Sequence, residues 1–295
     1  MITDRKAMRS LLFVPADDPK KLAKATARGT DALILDLEDA VAEAKKDEAR
    51  AQAAAFLRAH AGRAEGPRLM VRINGFGHPA SAADLAAAVA AGADAVMLPK
   101  AVGLADVERL AGRLAVAEAE AGRPDGAVMI LPLASESGRA LLALPTLAGG
   151  HPRLMGIAWS GEDLAADLGA VASRRPDGTL PDPQRLARTL ALAAAAAAGV
   201  PAIDTIFARF QDEDGLRREA EAAAFDGFSG KLAIHPAQVA TINAAFTPSA
   251  DQVAAAKAVI AAFAAAPSSG AVAVDGTMLD RPHVLAAERV LARAR

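Results

Sequence analysis

The sequence predicts a (β/α)8 barrel, a TIM barrel, followed by a C-terminal extension of helix and arm. Three observations carry that prediction. Eight short apolar runs alternate with amphipathic, alanine-rich stretches. Each run is apolar on both faces, as a strand buried inside a parallel sheet reads. No Gly-x-Gly-x-x-Gly follows the first run, which counts against the rival, a doubly wound open sheet.

The runs are residues 10–15 (SLLFVP), 32–38 (ALILDLE), 69–74 (LMVRIN), 95–100 (AVMLPK), 128–134 (VMILPLA), 154–160 (LMGIAWS), 203–208 (IDTIFA) and 231–236 (KLAIHP). Between them, residues 18–28, 43–60, 81–91, 104–121 and 183–199 space their apolar residues as amphipathic helices do. Gly29, Gly92, Gly122 and Gly199 stand where such helices stop. Two connections run long: 75–80, and the polar, Pro/Gly-rich 169–183. The barrel is expected over residues 1–247. Residues 248–295 hold a helix at 249–265, a PSSG linker at 267–270, an extended arm or hairpin at 271–280, and a last helix at 282–294.

Composition narrows the function classes. Basic and acidic residues nearly cancel, 33 against 35. No basic patch with interleaved aromatics appears, so nucleic acid is not an expected partner. Hydrophobic residues make up 53% of the chain, with alanine supplying the excess. No run approaches the roughly 18 apolar residues that span a bilayer. The first ten residues, MITDRKAMRS, lack the apolar core of a signal peptide. No membrane association and a cytoplasmic location are therefore the expectations. With no cysteine, thiolate chemistry and cysteine-type metal sites are excluded. The many acids favour a hard ion, Mg²⁺, with Mn²⁺ as the alternative.

In such barrels the chemistry sits at the C-terminal ends of the strands. Those ends offer Asp36, Glu38, Asp39, Arg72, Asn74, Lys100, Glu136, Ser160, Glu162, Asp163, Arg209 and His235. Glu136 and Asp163 end sequence-adjacent strands, and two carboxylates facing one mouth can hold a divalent ion; each could instead cap the helix that follows. Arg72, on an apolar strand, needs an acidic partner. Glu38 is the expected one, orienting the guanidinium, with Asp39 as a helix cap or further support. Lys100 admits a Schiff-base role or the neutralisation of nearby acids. Asp204 heads its run and is expected at the opposite, N-terminal face.

Seven stretches in register then become specific: RSLLFVPADDPKKLAKA, ALILDLEDAV, VRIN, AVMLPK, WSGEDLAADLGA, GKLAIHPAQV and DGTMLDRPH. Together they resemble the citrate lyase beta subunit-like proteins of the HpcH/HpaI aldolase/citrate lyase family, whose relatives include malyl-CoA and citramalyl-CoA lyases. The resemblance implies Mg²⁺-dependent cleavage or formation of a 3-hydroxyacyl-CoA, with a 2-oxo acid and acetyl-CoA or a related thioester as products. It implies metal carboxylates at Glu136 and Asp163, a substrate-binding Arg72, and an acid/base Asp280 on the arm. In the implied homotrimer or hexamer, that arm reaches a neighbouring subunit. Coenzyme A contacts fall on Phe13, Lys20, Lys24, Ile234 and His235. The chain departs from the pattern in three places. Asp17 and Asp18 add negative charge near the presumed polyphosphate, Phe13 replaces a tyrosine, and Ser135 precedes Glu136 where relatives often have an apolar residue. Alternatives are the beta subunit of a citrate lyase complex acting on an acyl-carrier thioester, a metal-dependent aldolase on free 2-oxo acids, and a thioesterase.

Overall fold

The computed structural model describes residues 8–62, 65–267, 269–274 and 276–294. The expectation about a signal peptide rests largely on residues outside this set, as do Ser268 of the linker and Asp275 of the arm. Among the described residues, eight parallel strands close into a barrel in sequence order. They are β1 (Ser10–Pro15), β2 (Ala32–Asp36), β3 (Arg68–Arg72), β4 (Ala95–Ala101), β5 (Met129–Ala134), β6 (Ile157–Trp159), β7 (Ala202–Asp204) and β8 (Gly230–Ala233). β8 pairs back onto β1, Ser10 opposite Lys231.

Helices alternate with the strands: α1 (Pro19–Ala25), α2 (Lys46–Ala59), α3 (Ser81–Ala90), α4 (Gly103–Glu120), α5 (Gly138–Ala143), α6 (Glu162–Asp167), α7 (Asp182–Ala198), α8 (Glu213–Asp226) and α9 (Gln238–Phe246). Gly199 ends α7 in the left-handed region, at φ 69°, as a helix C-terminus favours. Glu43–Lys45, expected to open α2, instead form a separate 3-10 turn.

Residues of one parity fill the barrel: Leu11, Ile34, Met70, Met97, Leu131, Ala158, Ile203 and Leu232 belong to one buried cluster. Strand side chains alternate between faces. The next residues of that parity, Phe13, Asp36, Arg72, Leu133, Ser160, Thr205 and Ile234, therefore rise in order to the C-terminal mouth, where they line one cavity. The opposite parity faces the helices.

That parity corrects the expectation for Asp204. It ends β7, which is three residues long, because the chain leaves the sheet afterwards. Its carboxylate faces outward, accepting from Trp159 Nε1 and Lys231 Nζ, each at 2.8 Å. Asp204 belongs to the wall between barrel and helices, not to the N-terminal face.

The first compact unit ends at Asn243, and the second runs Ala244–Arg295. In the second, α10 (Ala250–Ala265) opens on a Ser249–Gln252 capping box. An antiparallel hairpin follows, β9 (Ala271–Val274) with β10 (Thr277–Asp280), then α11 (Arg281–Arg293), which packs on α10. No helix among the described residues is long and apolar enough to cross a membrane.

Candidate active site

The mouth cavity, about 330 Å³, is walled by Phe13, Leu133, Trp159, Ile206 and Leu232 and carries Asp36, Arg72, Ser160 and Asp163 among its polar residues. Arg72 is fixed first. Its Nε and Nη2 donate to the two oxygens of Asp36 at 2.7 and 2.5 Å, and Nη1 lies 3.0 Å from Glu38 Oε2. The expected Glu38 contact is present, but Asp36 makes the bidentate pair and is the main orienting partner. The strand register demands this, since Asp36 and Arg72 stand opposite each other in β2 and β3. Burial works against the Arg72 charge, but the hydrogen bonds and charges of Asp36, then the charge of Glu38, outweigh it and raise the pKa. The guanidinium carbon lies 4.8 Å from the ring centre of Phe13, within cation–π range.

Glu38 is buried and bonded by the Lys100 ammonium. Burial raises its pKa, opposed by Arg72 and Lys100. Beneath it, the buried Lys46 ammonium donates to the carbonyls of Leu37 and Glu38 and to Asn74 Oδ1, at 2.8–2.9 Å. This fixes the β2 rim. Asp39 is largely exposed, 3.6 Å from Lys100 Nζ, and caps no helix. A turn and the 3-10 segment separate it from α2.

Glu136 is 4% exposed. Its Oε2 accepts from the Lys100 backbone N–H, while its Oε1 is buried without a hydrogen-bond partner. Burial and the adjacent Asp163 carboxylate push its pKa up to about 9, against the pull of the Lys100 N–H. It does not cap the following helix, because Ser137 is the N-cap of α5. Asp163 sits in the first turn of α6, capped by no side chain, and accepts from Ser160 Oγ at 2.9 Å.

An orphaned carboxylate oxygen beside a second carboxylate fits a hard divalent ion, which takes oxygen ligands. Among the described residues no third His, Asp or Glu joins the pair. Substrate oxygens and water would complete the shell, as Mg²⁺ sites commonly arrange.

Beside the mouth lies a cleft of about 450 Å³ lined by Phe13, Lys20, Lys24, Ile234 and His235, with Lys21 and Arg28 adding positive charge. The five positions expected to meet coenzyme A thus share one cleft. Of the two acids expected to oppose it, Asp18 lines the cleft itself, its charge partly offset by Lys21. Asp18 caps α1, accepting from Lys20 N and Lys21 N, and Asp17 is 3.7 Å from Lys45 Nζ. His235 stacks on Phe210, ring centres 4.8 Å apart. Asp280 lies in the second unit, as N-cap of α11. His283 Nδ1 is 2.7 Å from its Oδ1 and 3.1 Å from its backbone nitrogen.

Residues 9–236 match the family described as HpcH/HpaI aldolase/citrate lyase. The chain belongs to the HpcH/HpaI aldolase/citrate lyase family. As a member of that family the chain is a carbon–carbon lyase. Residues 184–295 also match a family described as a C–C bond lyase of the TIM-barrel fold. The chain is 40% identical to a citrate lyase subunit beta-like protein of Mycobacterium tuberculosis, over 98% of this chain and 97% of that one. It is 37% identical to a (3S)-malyl-CoA thioesterase of Cereibacter sphaeroides, over 97% and 94%. It is also 37% identical to a citrate lyase subunit beta of Leuconostoc mesenteroides, over 98% and 94%. A crystal structure of the M. tuberculosis protein CitE in complex with magnesium, acetoacetate and coenzyme A superposes with a TM-score of 0.77 at 38% identity, covering 99% of both chains.

Proposed function

We propose that this HpcH/HpaI lyase cleaves or forms a 3-hydroxyacyl-CoA such as malyl-CoA or citramalyl-CoA. Its products are then a 2-oxo acid and acetyl-CoA or a related thioester. The carrying observation is the Glu136–Asp163 pair: Glu136 is buried with one oxygen unpartnered, and Asp163 lines a mouth that also holds Arg72 and adjoins a cationic cleft. The M. tuberculosis CitE complex with magnesium and coenzyme A supports both assignments.

Glu136 and Asp163 would hold Mg²⁺, or Mn²⁺, whose chemistry is to polarise the oxygens of the 2-oxo acid and offset the charge that develops on them. Arg72 has five N–H donors, commits two to Asp36 and turns a third, on Nη1, toward Glu38. Those remaining on Nη1 and Nη2 stabilise the thioester enolate formed as the C–C bond breaks. Asp280 transfers the proton at the enolate carbon, paired with His283, and is contributed by the arm of a neighbouring copy in a homotrimer or hexamer. Lys20 and Lys24 meet the phosphates of coenzyme A, while Phe13, Ile234 and His235 line the path to the thioester. The cytoplasm is the location that fits a coenzyme A substrate.

The test is mass detection of products from malyl-, methylmalyl- and citramalyl-CoA with Mg²⁺. A lyase releases a 2-oxo acid and a shorter acyl-CoA. The similarity to a malyl-CoA thioesterase supports a second reading, and hydrolysis would instead give free coenzyme A and the intact hydroxy acid. No turnover of any of the three contradicts both. Asp280→Asn should bind Mg²⁺ normally and lose about 10²–10⁴-fold in turnover. Near wild-type rates in that variant would remove Asp280 from the mechanism.

A further inference from the structure

Among the described residues, two non-glycines have positive φ: Lys100 at 53° and Ser135 at 78°. They stand at the ends of neighbouring strands β4 and β5, where the pairing slips between Leu98 and Ala101. Such slips re-aim groups at active-site rims. Left-handed backbone is unfavourable for L-residues with a Cβ and persists only where the surroundings impose it.

Each of the two uses that conformation to hold one carboxylate of the pair. Lys100 turns its backbone N–H onto Glu136 Oε2, while its ammonium bonds Glu38. That leaves Glu136 Oε1 without a partner. Ser135, fully buried, donates from Oγ to the Ser160 carbonyl at 3.1 Å and accepts from the Ser160 N–H at 3.3 Å. Ser160, so clamped, donates from its own Oγ to Asp163 Oδ2 at 2.9 Å. The polar residue that the sequence sets unexpectedly before Glu136 thus begins a chain ending on Asp163.

We propose that Lys100 and Ser135 are positioning residues for the Glu136–Asp163 pair, their left-handed backbones retained to pin one oxygen of each carboxylate and present the remainder to a divalent cation. This rests on reading that pair as the metal ligands. The work of Lys100 toward Glu136 is done by its backbone, that of Ser135 toward Asp163 by its hydroxyl. The two therefore respond differently to substitution. Glycine accepts φ 53° and keeps the N–H in place, whereas β-branched valine is driven out of that region.

Calorimetric titration of Mg²⁺ into the full chain separates these roles without any activity readout. Lys100→Gly and Lys100→Val both lose the ammonium. The glycine variant should stay within about threefold of wild-type affinity, and the valine variant should weaken about tenfold or more. Ser135→Gly keeps a relaxed backbone, loses the hydroxyl, and should weaken Mg²⁺ about tenfold. Its compatibility with φ 78° keeps the proposal testable should Lys100→Val fail to fold. Glu136→Gln is the reference. Wild-type affinity in both Ser135→Gly and Lys100→Val, with binding lost in Glu136→Gln, overturns the positioning role and leaves the metal assignment standing. Loss confined to one of the two overturns the assignment of the other. Wild-type affinity in Glu136→Gln overturns the metal assignment and this inference with it.

Discussion

Two buried ionic clusters sit within one barrel and are built on opposite rules. In the wall, the fully buried Lys231 ammonium bonds Asp204 Oδ2, Glu219 Oε1 and the Thr205 carbonyl at 2.7–2.8 Å. Asp204 in turn has Trp159, Lys231 and, at 3.6 Å, Arg188. Burial opposes the Asp204 charge, but Lys231 and Arg188 prevail and its pKa is lowered. In the mouth, Glu136 lies beside another acid with one oxygen unpartnered and its pKa pushed up to about 9. A saturated network specifies structure. An unsaturated one, at the end of the barrel where such folds carry their chemistry, is a candidate site for a ligand's charge.

The largest effect expected from this contrast is in the wall. Lys231→Ala removes the ammonium shared by Asp204 and Glu219, leaving Asp204 with Arg188 at 3.6 Å and Glu219 with Arg174, and should lower stability by about 3 kcal/mol, read as the shift in a denaturant midpoint. A loss below about 1 kcal/mol would mean that the wall network is no tighter than a surface pair.

Next comes pH. Metal-free Glu136 keeps its proton in the folded chain up to about pH 9, whereas the unfolded chain loses it near 4.3. Its contribution to stability is thus present at low pH and falls as pH rises toward 9, by at most about 1.4 kcal/mol per unit. Asp204, with a lowered pKa, does the reverse. Its contribution is present above about 3.9 and is lost as pH falls. In melting curves from pH 3 to 9, Glu136→Gln should flatten the alkaline decline and Asp204→Asn the acid one. An exchange of those two effects would invert the comparison.

The smallest effect concerns the rim. Glu38→Gln removes a charge that meets Arg72 and Lys100 but leaves the Asp36–Arg72 pair intact. It should lower turnover about tenfold and change Mg²⁺ affinity less. Steady-state rates set against calorimetry decide this. The opposite order would make Glu38 itself a ligand of the metal.

Much of this was legible in the sequence. Eight runs apolar on both faces read as buried parallel strands, and two of them end in the carboxylates proposed as the metal pair. What escaped depended on where each strand stops. The run 203–208 looked like a full strand headed by Asp204, yet the sheet releases the chain after that residue, whose carboxylate faces the helices. The sequence points less plainly to Asp36 as the main partner of Arg72, because two further acids, Glu38 and Asp39, follow it so closely. The signal was present in the alternation Ala32, Ile34, Asp36, which points each of the three inward. The left-handed turns at Lys100 and Ser135 had no such signal, since no glycine marks them and only tertiary hydrogen bonds hold them there.

The most direct test is a magnesium titration by calorimetry of the wild-type chain against Glu136→Gln and Asp163→Asn. The prediction is one site in the wild type, weakened at least about tenfold in each variant. Equal affinity in all three would contradict the claim that the unpartnered Glu136 oxygen marks where the metal binds.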